Sequence, residues 1–299
     1  MDNQFTESVG HDVHDTHRRF ARGLPTFLSE VGQLANDIHA SLADLAPSHL
    51  QAIDEIREQW RRRQAWHRAE KSLTLAAKAM CRRLVAKGEE KAELKEADSL
   101  YRAAIGKGEH PLSDIAFGAI FPIIEARDSI EKNRKAVEKR LAKLASTLPV
   151  APVIESMRGV GIGSLAAIIG EAGNLGNYSN PAKLWKRMGL AVMPDGRQRK
   201  IAGAAALLHG YSPQRRSVMW NIGDCIIKAG GPLREIYDAR KEVEHAKAKA
   251  EGLTVCPANK IPKSAPEKYR SEGHIHNRAK RYTEKRVLVL IWKAWRQMK

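Results

Sequence analysis

The stretch that decides the fold is residues 154–169, IESMRGVGIGSLAAII. Two apolar segments flank a turn with glycines at alternate positions, Gly159, Gly161 and Gly163. Glycine allows a tight turn, and the first amides of a helix lack partners within that helix. We therefore predict a helix-hairpin-helix motif whose second helix starts near Ser164 and presents backbone N–H groups to a phosphate. Such contacts read no base, so we expect weak sequence preference.

Other classes of protein use similar turns. A dinucleotide fingerprint needs a preceding strand, GxGxxG spacing and an acid about 20 residues later. Here the spacing is GxGxG, Pro149 and Pro152 disfavour a strand, and no acid lies between Glu171 and Asp195. The same gap argues against a base-excision glycosylase, which needs a catalytic aspartate downstream. A packing turn without a ligand stays open as the alternative.

The rest of the chain shows the three- and four-residue spacing of helices, so we predict an all-α fold. A seven-residue repeat over 24–45 indicates either a helix packed on its own chain or an oligomerisation seam. Long helices are expected from about Ser48 to Val85 and after Pro122, and arginines interrupt the apolar seam of the latter. These favour a long antiparallel helical hairpin or coiled-coil arm.

These patterns divide the chain into five parts. The predicted division is an N-terminal oligomerisation segment (1–47), a long helical hairpin or coiled-coil arm (48–149), a helix-hairpin-helix domain (150–250), a flexible basic linker (251–272) and a basic C-terminal helix (273–299).

The net charge of the chain indicates the class of its binding partner. The chain has 51 Lys and Arg against 34 Asp and Glu, a net charge of +17, and the surplus grows toward the C-terminus. A surplus of this size most often indicates a polyanion, and nucleic acid is the commonest one. There is no apolar run of about 18 residues, no signal-peptide start and no disulfide framework among three cysteines. We expect a cytoplasmic, nucleoid-associated protein of a bacterium or phage, without membrane, metal or cofactor.

Basic side chains cluster around the glycine turn and in the final helix. Residues 156–223 hold nine cations against two acids, and the helix from 278 onward would clamp the duplex. A helix docked on the core with a basic outer face is the alternative. The residues predicted to contact DNA are Arg158, Gly159, Val160, Gly161, Ile162, Gly163, Ser164, Lys183, Lys186, Arg187, Arg197, Arg199, Lys200, Arg215, Arg216, Arg278, Lys280, Arg281, Lys285 and Arg286.

Residues 157–200, MRGVGIGSLAAIIGEAGNLGNYSNPAKLWKRMGLAVMPDGRQRK, resemble the C-terminal domain of the insertion sequence one-ten transposases, whose guided members are called bridge recombinases. The family pattern is a P-G-I-G hairpin, an aromatic-Ser segment leading to a Gly-Leu pair, and paired arginines before a helix. Here these correspond to Gly159-Val160-Gly161, Tyr178-Ser179, Gly189-Leu190 and Arg215-Arg216. The resemblance covers about residues 150–230 and implies a protein that binds double-stranded DNA in transposition or recombination.

Two departures from the family bear on catalysis. Family members begin with an RNase-H-like nuclease domain whose carboxylates hold metal ions, whereas residues 1–110 here show helical periodicity. The family's nucleophilic serine precedes a glycine, and Asp195 stands in that place before Gly196. An aspartate cannot form the phosphoserine link. We therefore predict no catalytic residue.

Three alternatives stay open at this point. The chain could be an active transposase that uses Ser212 or Ser217, or one that borrows a partner nuclease. It could also be a scaffold for guide or structured RNA. His11, His14 and His17 are spaced by three but lack a fourth ligand, so no metal site is predicted there.

Overall fold

The structure is a computed structural model that describes residues 46–86 and 90–298. Helices dominate the described residues, and the strands are short, which confirms the all-α prediction. None of the helices in these two ranges is long and apolar enough to cross a membrane. The predicted seam over 24–45 and the three N-terminal histidines lie outside the described residues.

Two pairs of short strands accompany the helices in the part of the chain that the structure describes. In chain order the elements are α1 (Ala46–Val85), α2 (Glu90–Ala104), α3 (Ser113–Ser146), α4 (Ala151–Ser156), α5 (Ile162–Ala172), α6 (Pro181–Arg187), β1 (Val192–Met193), β2 (Gly196–Arg197), α7 (Ala205–His209), α8 (Pro213–Ala229), α9 (Pro232–Ala250), β3 (Thr254–Cys256), β4 (Tyr269–Ser271) and α10 (Glu272–Gln297).

The chain divides into two compact units, and residues 58–143 form the smaller one. Within it, Arg134 Nε lies 2.6 Å from Glu70 Oε2, and Arg63 Nε lies 2.9 Å from Glu138 Oε1. Arg63 precedes Glu70 on α1, whereas their partners Glu138 and Arg134 come in the reverse order on α3, so the two helices run antiparallel. The pairing with Glu70 explains how an arginine fits into the otherwise apolar seam.

The position of Pro122 corrects one helix boundary. The sequence placed a helix after this proline, but α3 already begins at Ser113 and contains it. A proline removes one backbone donor from a helix. Ala116 and Ile120 before it are fully buried, and Ile123 packs on the same core after it. Burial on both sides keeps the helix continuous.

The larger unit contains every described residue outside 58–143. Its central element is α10, which packs on α9 and α8 and also meets α6 and α4. Ile275, Val287 and Ile291 of α10 are fully buried. The C-terminal helix is therefore part of the same core as the hairpin, which matches the docked-helix alternative.

The segment predicted as a flexible linker is built into this unit. The strand β3 pairs in parallel with β4, with Val255 opposite Arg270. Arg270 also lies 2.9 Å from Glu251. Backbone pairing across the segment fixes both of its ends, which composition alone did not indicate because two short strands carry little periodicity.

Candidate nucleic-acid interface

The glycine turn is an open bend between α4 and α5. Gly161 is the N-cap of α5, with φ −90° and ψ 170°. The Val160 amide donates to the Met157 carbonyl at 2.9 Å, and the Ser164 amide donates to the Gly161 carbonyl at 2.8 Å. These bonds close the bend and leave the first amides of α5 directed outward, as at helix N-termini generally.

Three consecutive amides, those of Gly161, Ile162 and Gly163, form what we call the amide edge. No backbone acceptor within the described ranges pairs with them. Gly161 and Gly163 are exposed, and a Cβ atom at either position would meet no atom within 4 Å. The edge is therefore accessible to an anion at the positive end of the α5 dipole.

Gly159 and Val160 support the bend. The predicted contact of Val160 with DNA is wrong, because the residue is buried and its amide is paired with the Met157 carbonyl. Gly159 has φ +88°, and a Cβ there would lie 2.7 Å from the Ile226 Cα of α8. The Val160 side chain is 3% exposed. Gly159 packs against α8 and Val160 is buried, so the part of the bend that reaches solvent beyond them is residues 161–164.

Exposed cations lie beside the bend and on α6. The aliphatic stem of Arg158 lies over the turn between α8 and α9, since a Cβ at Gly231 would be 3.2 Å from Arg158 Cδ. Lys183 and Lys186 are exposed on α6. Arg187 is exposed too, but its Nε donates to the Glu171 carbonyl at 3.1 Å.

Asp195 lies in the turn between β1 and β2. Arg199 Nη2 donates to its Oδ2 at 3.2 Å, and His209 Nε2 lies 3.2 Å from its Oδ1. Both carboxylate oxygens therefore make structural contacts. Arg197, Arg199 and Lys200 are exposed on the same segment.

The two candidate serines make local backbone contacts. Ser212 is the N-cap of α8, and its hydroxyl accepts from the Arg215 amide at 3.4 Å. The Ser217 hydroxyl donates to the Gln214 carbonyl at 3.0 Å. Among the described residues, no cluster of three or more His, Cys, Asp or Glu could hold a metal ion.

Lys280 was predicted to contact DNA, and the structure contradicts this. Its side chain is 0% exposed and donates to Asp224 of α8. The ammonium lies 3.4 Å from the centroid of the Trp220 ring. A lysine that is fully buried and paired cannot reach a phosphate without breaking the α8–α10 contact.

Three other predicted cations of α10 contact neighbouring side chains. Arg278 Nε lies 2.8 Å from Glu244 Oε2. Burial lowers the pKa of Lys285, whose ammonium lies 5.1 Å from the centroid of the Trp185 ring. Arg286 donates to the Tyr282 hydroxyl at 2.5 Å. The contacts of Arg278 and Lys285 join α10 to α9 and α6, and all three side chains are half-exposed.

A buried ionic cluster joins α8 to α10. Glu284 is 0% exposed, and its Oε2 lies 2.9 Å from Arg216 Nη1 without the alignment of a hydrogen bond. Burial raises the pKa of Glu284 to about 7, although Arg216, Lys280 and Arg281 act in the other direction. The helices approach closely because α8 has a glycine here: a Cβ at Gly223 would lie 2.7 Å from Lys280 Cε.

Arg215 and Arg216 differ in their surroundings. Arg215 Nε lies 3.5 Å from Glu171 Oε2, and burial lowers the pKa of Arg215. Arg216 lies between Glu284 and the Trp220 ring, whose centroid is 5.4 Å from its guanidinium carbon. The two arginines therefore make separate contacts: Arg215 with Glu171, and Arg216 with Glu284 and Trp220.

Arg216 also lines a cleft that the sequence did not reveal. The cleft encloses about 200 Å³ and combines predicted cations with residues that had not been singled out, Tyr211, Trp220 and Asn277. The only sequence signal for the cleft is a spacing of four residues. Arg216 and Trp220 lie four residues apart on α8, and Asn277 and Arg281 lie four residues apart on α10, so each pair shares a helix face.

The chain matches no family model, no curated protein and no solved structure.

Proposed function

We propose that this protein binds double-stranded DNA by its phosphate backbone, with the amide edge at Gly161–Gly163 as the primary contact. The observation that carries the proposal is an edge of unpaired amides, open to solvent, at the positive end of a helix. Backbone amides that contact phosphate fix the orientation of a protein on DNA without reading a base.

Exposed cations near the edge in sequence support the proposal. Each of them can neutralise a phosphate and release a counterion. Those that the structure leaves exposed are Arg158, Lys183, Lys186, Arg187, Arg197, Arg199 and Lys200. Lys280 is excluded because it is buried.

The biological setting we propose is transposition or recombination, or a DNA-binding role derived from it. The resemblance of residues 150–230 to the insertion sequence one-ten transposases supports this setting. Asp195 at the place of the family's serine, with both oxygens in contact with neighbouring side chains, supports a derivative that binds DNA without its own strand-joining chemistry.

The decisive variants are Gly161→Val and Gly163→Val. A Cβ at either position would meet no atom within 4 Å, and we expect the methyl groups of valine to cover the amide edge. Hydrogen bonds to charged groups contribute about 1.5–3 kcal/mol, so we expect at least about a tenfold loss of duplex affinity. Fluorescence anisotropy with two duplexes of unrelated sequence, at low salt, measures the loss, which should be equal for both.

Gly273→Val is the matched control. Gly273 and Gly163 each occupy the second position of a helix and each has an open Cβ direction, but Gly273 belongs to α10 and not to the bend. The Gly273→Val variant should bind both duplexes as tightly as the unaltered protein does. A loss with one duplex alone would indicate base readout, and preferential competition by structured RNA would indicate an RNA scaffold. Either outcome contradicts the proposal.

A further inference from the structure

The cleft described above is strongly basic. Four of its lining residues are arginines, Arg197, Arg199, Arg216 and Arg281, and none is acidic. Burial lowers the pKa of Arg281, and the nearby charges of Arg216 and Arg197 lower it further, while the charge of Glu284 acts in the other direction. An anion in the cleft would remove this repulsion, because an opposite charge nearby favours the charged form of a guanidinium.

Two of the four arginines form no direct ion pair in the part of the chain that the structure describes. Arg216 pairs with Glu284, and Arg199 pairs with Asp195. Within residues 46–86 and 90–298, Arg197 and Arg281 form no ion pair. The Nε atom of Arg281 is buried and has no hydrogen-bond acceptor. A buried donor without an acceptor is unfavourable, and an anion bound beside the guanidinium would compensate the charge of Arg281.

The remaining groups of the cleft suit a phosphate better than a base. Guanidinium groups donate paired hydrogen bonds to phosphate oxygens. The amide group of Gln198 is not free to read a base edge, because it already donates to the carbonyls of Lys186 and His209. The ring of Trp220 has Lys280 and Arg216 close to it, so stacking by a base would compete with two cations.

We propose that this cleft binds one phosphate group, with Arg197 and Arg281 as its principal ligands and Arg216 and Arg199 beside them. The phosphate is either an internal phosphodiester of a nucleic-acid strand or a terminal phosphate monoester. The site shares no residue with the amide edge, so it binds phosphate whether or not the edge binds DNA.

The test uses the full chain and isothermal titration calorimetry with inorganic phosphate. Arg197→Gln and Arg281→Gln should each weaken binding about tenfold or more, since each removes charge-assisted hydrogen bonds. Lys228→Gln is the control: it removes one exposed positive charge from α8, the helix that carries Arg216, but does not line the cleft. Its affinity should not change.

Two further arms identify the source of the phosphate. A dinucleotide offers one internal phosphodiester, and the same dinucleotide with a 5′-phosphate adds a monoester. Equal affinity for the two assigns the cleft to the strand interior, and tighter binding of the second assigns it to a strand end.

The remaining outcomes separate this site from the amide edge. Gly161→Val should bind phosphate normally, because it leaves the cleft intact. If Arg281→Gln does not fold, the test depends on Arg197→Gln, since Arg197 is exposed and its replacement leaves the core unchanged. The proposal is wrong if neither arginine variant weakens phosphate binding, or if none of the three probes binds.

Discussion

Gly159→Ala should destabilise the protein by about 3 kcal/mol. The backbone at Gly159 has φ +88°, where a side chain costs about 1–2 kcal/mol. The new methyl group would also lie 2.7 Å from the Ile226 Cα, a backbone atom that cannot move unless α8 shifts. Overpacking of this kind typically costs about 1–3 kcal/mol. Urea denaturation followed by tryptophan fluorescence measures the change in the free energy of unfolding.

Gly163→Ala is the matched control for this change. Gly163 lies two residues into α5, and a Cβ there would meet no atom within 4 Å. Alanine has the higher helix propensity, so stability should stay constant or rise by up to about 1 kcal/mol. Equal stability of the two variants would show that the bend does not pack on α8 as described.

Glu284→Gln should change how stability depends on pH. Burial raises the pKa of Glu284 from its ordinary 4.5 to about 7. Between these values the folded protein holds a proton that the unfolded chain releases, so the contribution of Glu284 is largest below about 4.5 and is lost as the pH rises through about 7. The shift corresponds to about 3 kcal/mol. Glutamine has nearly the same shape and does not ionise.

The measurement is the difference in unfolding free energy between the unaltered protein and Glu284→Gln. Other titrating groups cancel in this difference. From pH 4.5 to pH 8, the unaltered protein should lose about 3 kcal/mol of stability relative to the variant. The charged groups facing Glu284 are Arg216 of α8 and Lys280 and Arg281 of α10. A relative gain in stability with rising pH would mean that these cations outweigh burial.

The fold was largely predictable from local patterns. Helix spacing placed the end of α1 at Val85, as observed, and the alternate glycines located the bend between α4 and α5. The start of α3 was not predictable from Pro122, because the burial of Ala116 and Ile120 depends on contacts with other helices. Local sequence patterns thus predicted that this element is a helix, whereas tertiary packing determined where the helix begins.

The buried cluster was harder to predict, because α8 and α10 meet across more than fifty residues of sequence. One signal was present. Lys280, Glu284, Val287 and Ile291 follow the four-three-four spacing of a single helix face, and all four are fully buried. Two charged residues on an otherwise apolar face indicate burial with partners. What the sequence could not supply was Gly223, whose missing side chain lets the two helices approach.

The most direct test of the central claim observes the amide edge itself. The chain has 22 glycines, so selective ¹⁵N-glycine labelling gives a spectrum in which Gly161 and Gly163 can be assigned by substitution. On titration with duplex DNA, we expect these two amide resonances to shift and that of Gly273 to stay in place. If the protein binds the duplex while both resonances remain unchanged, the edge does not contact phosphate and the proposed mode of binding is wrong.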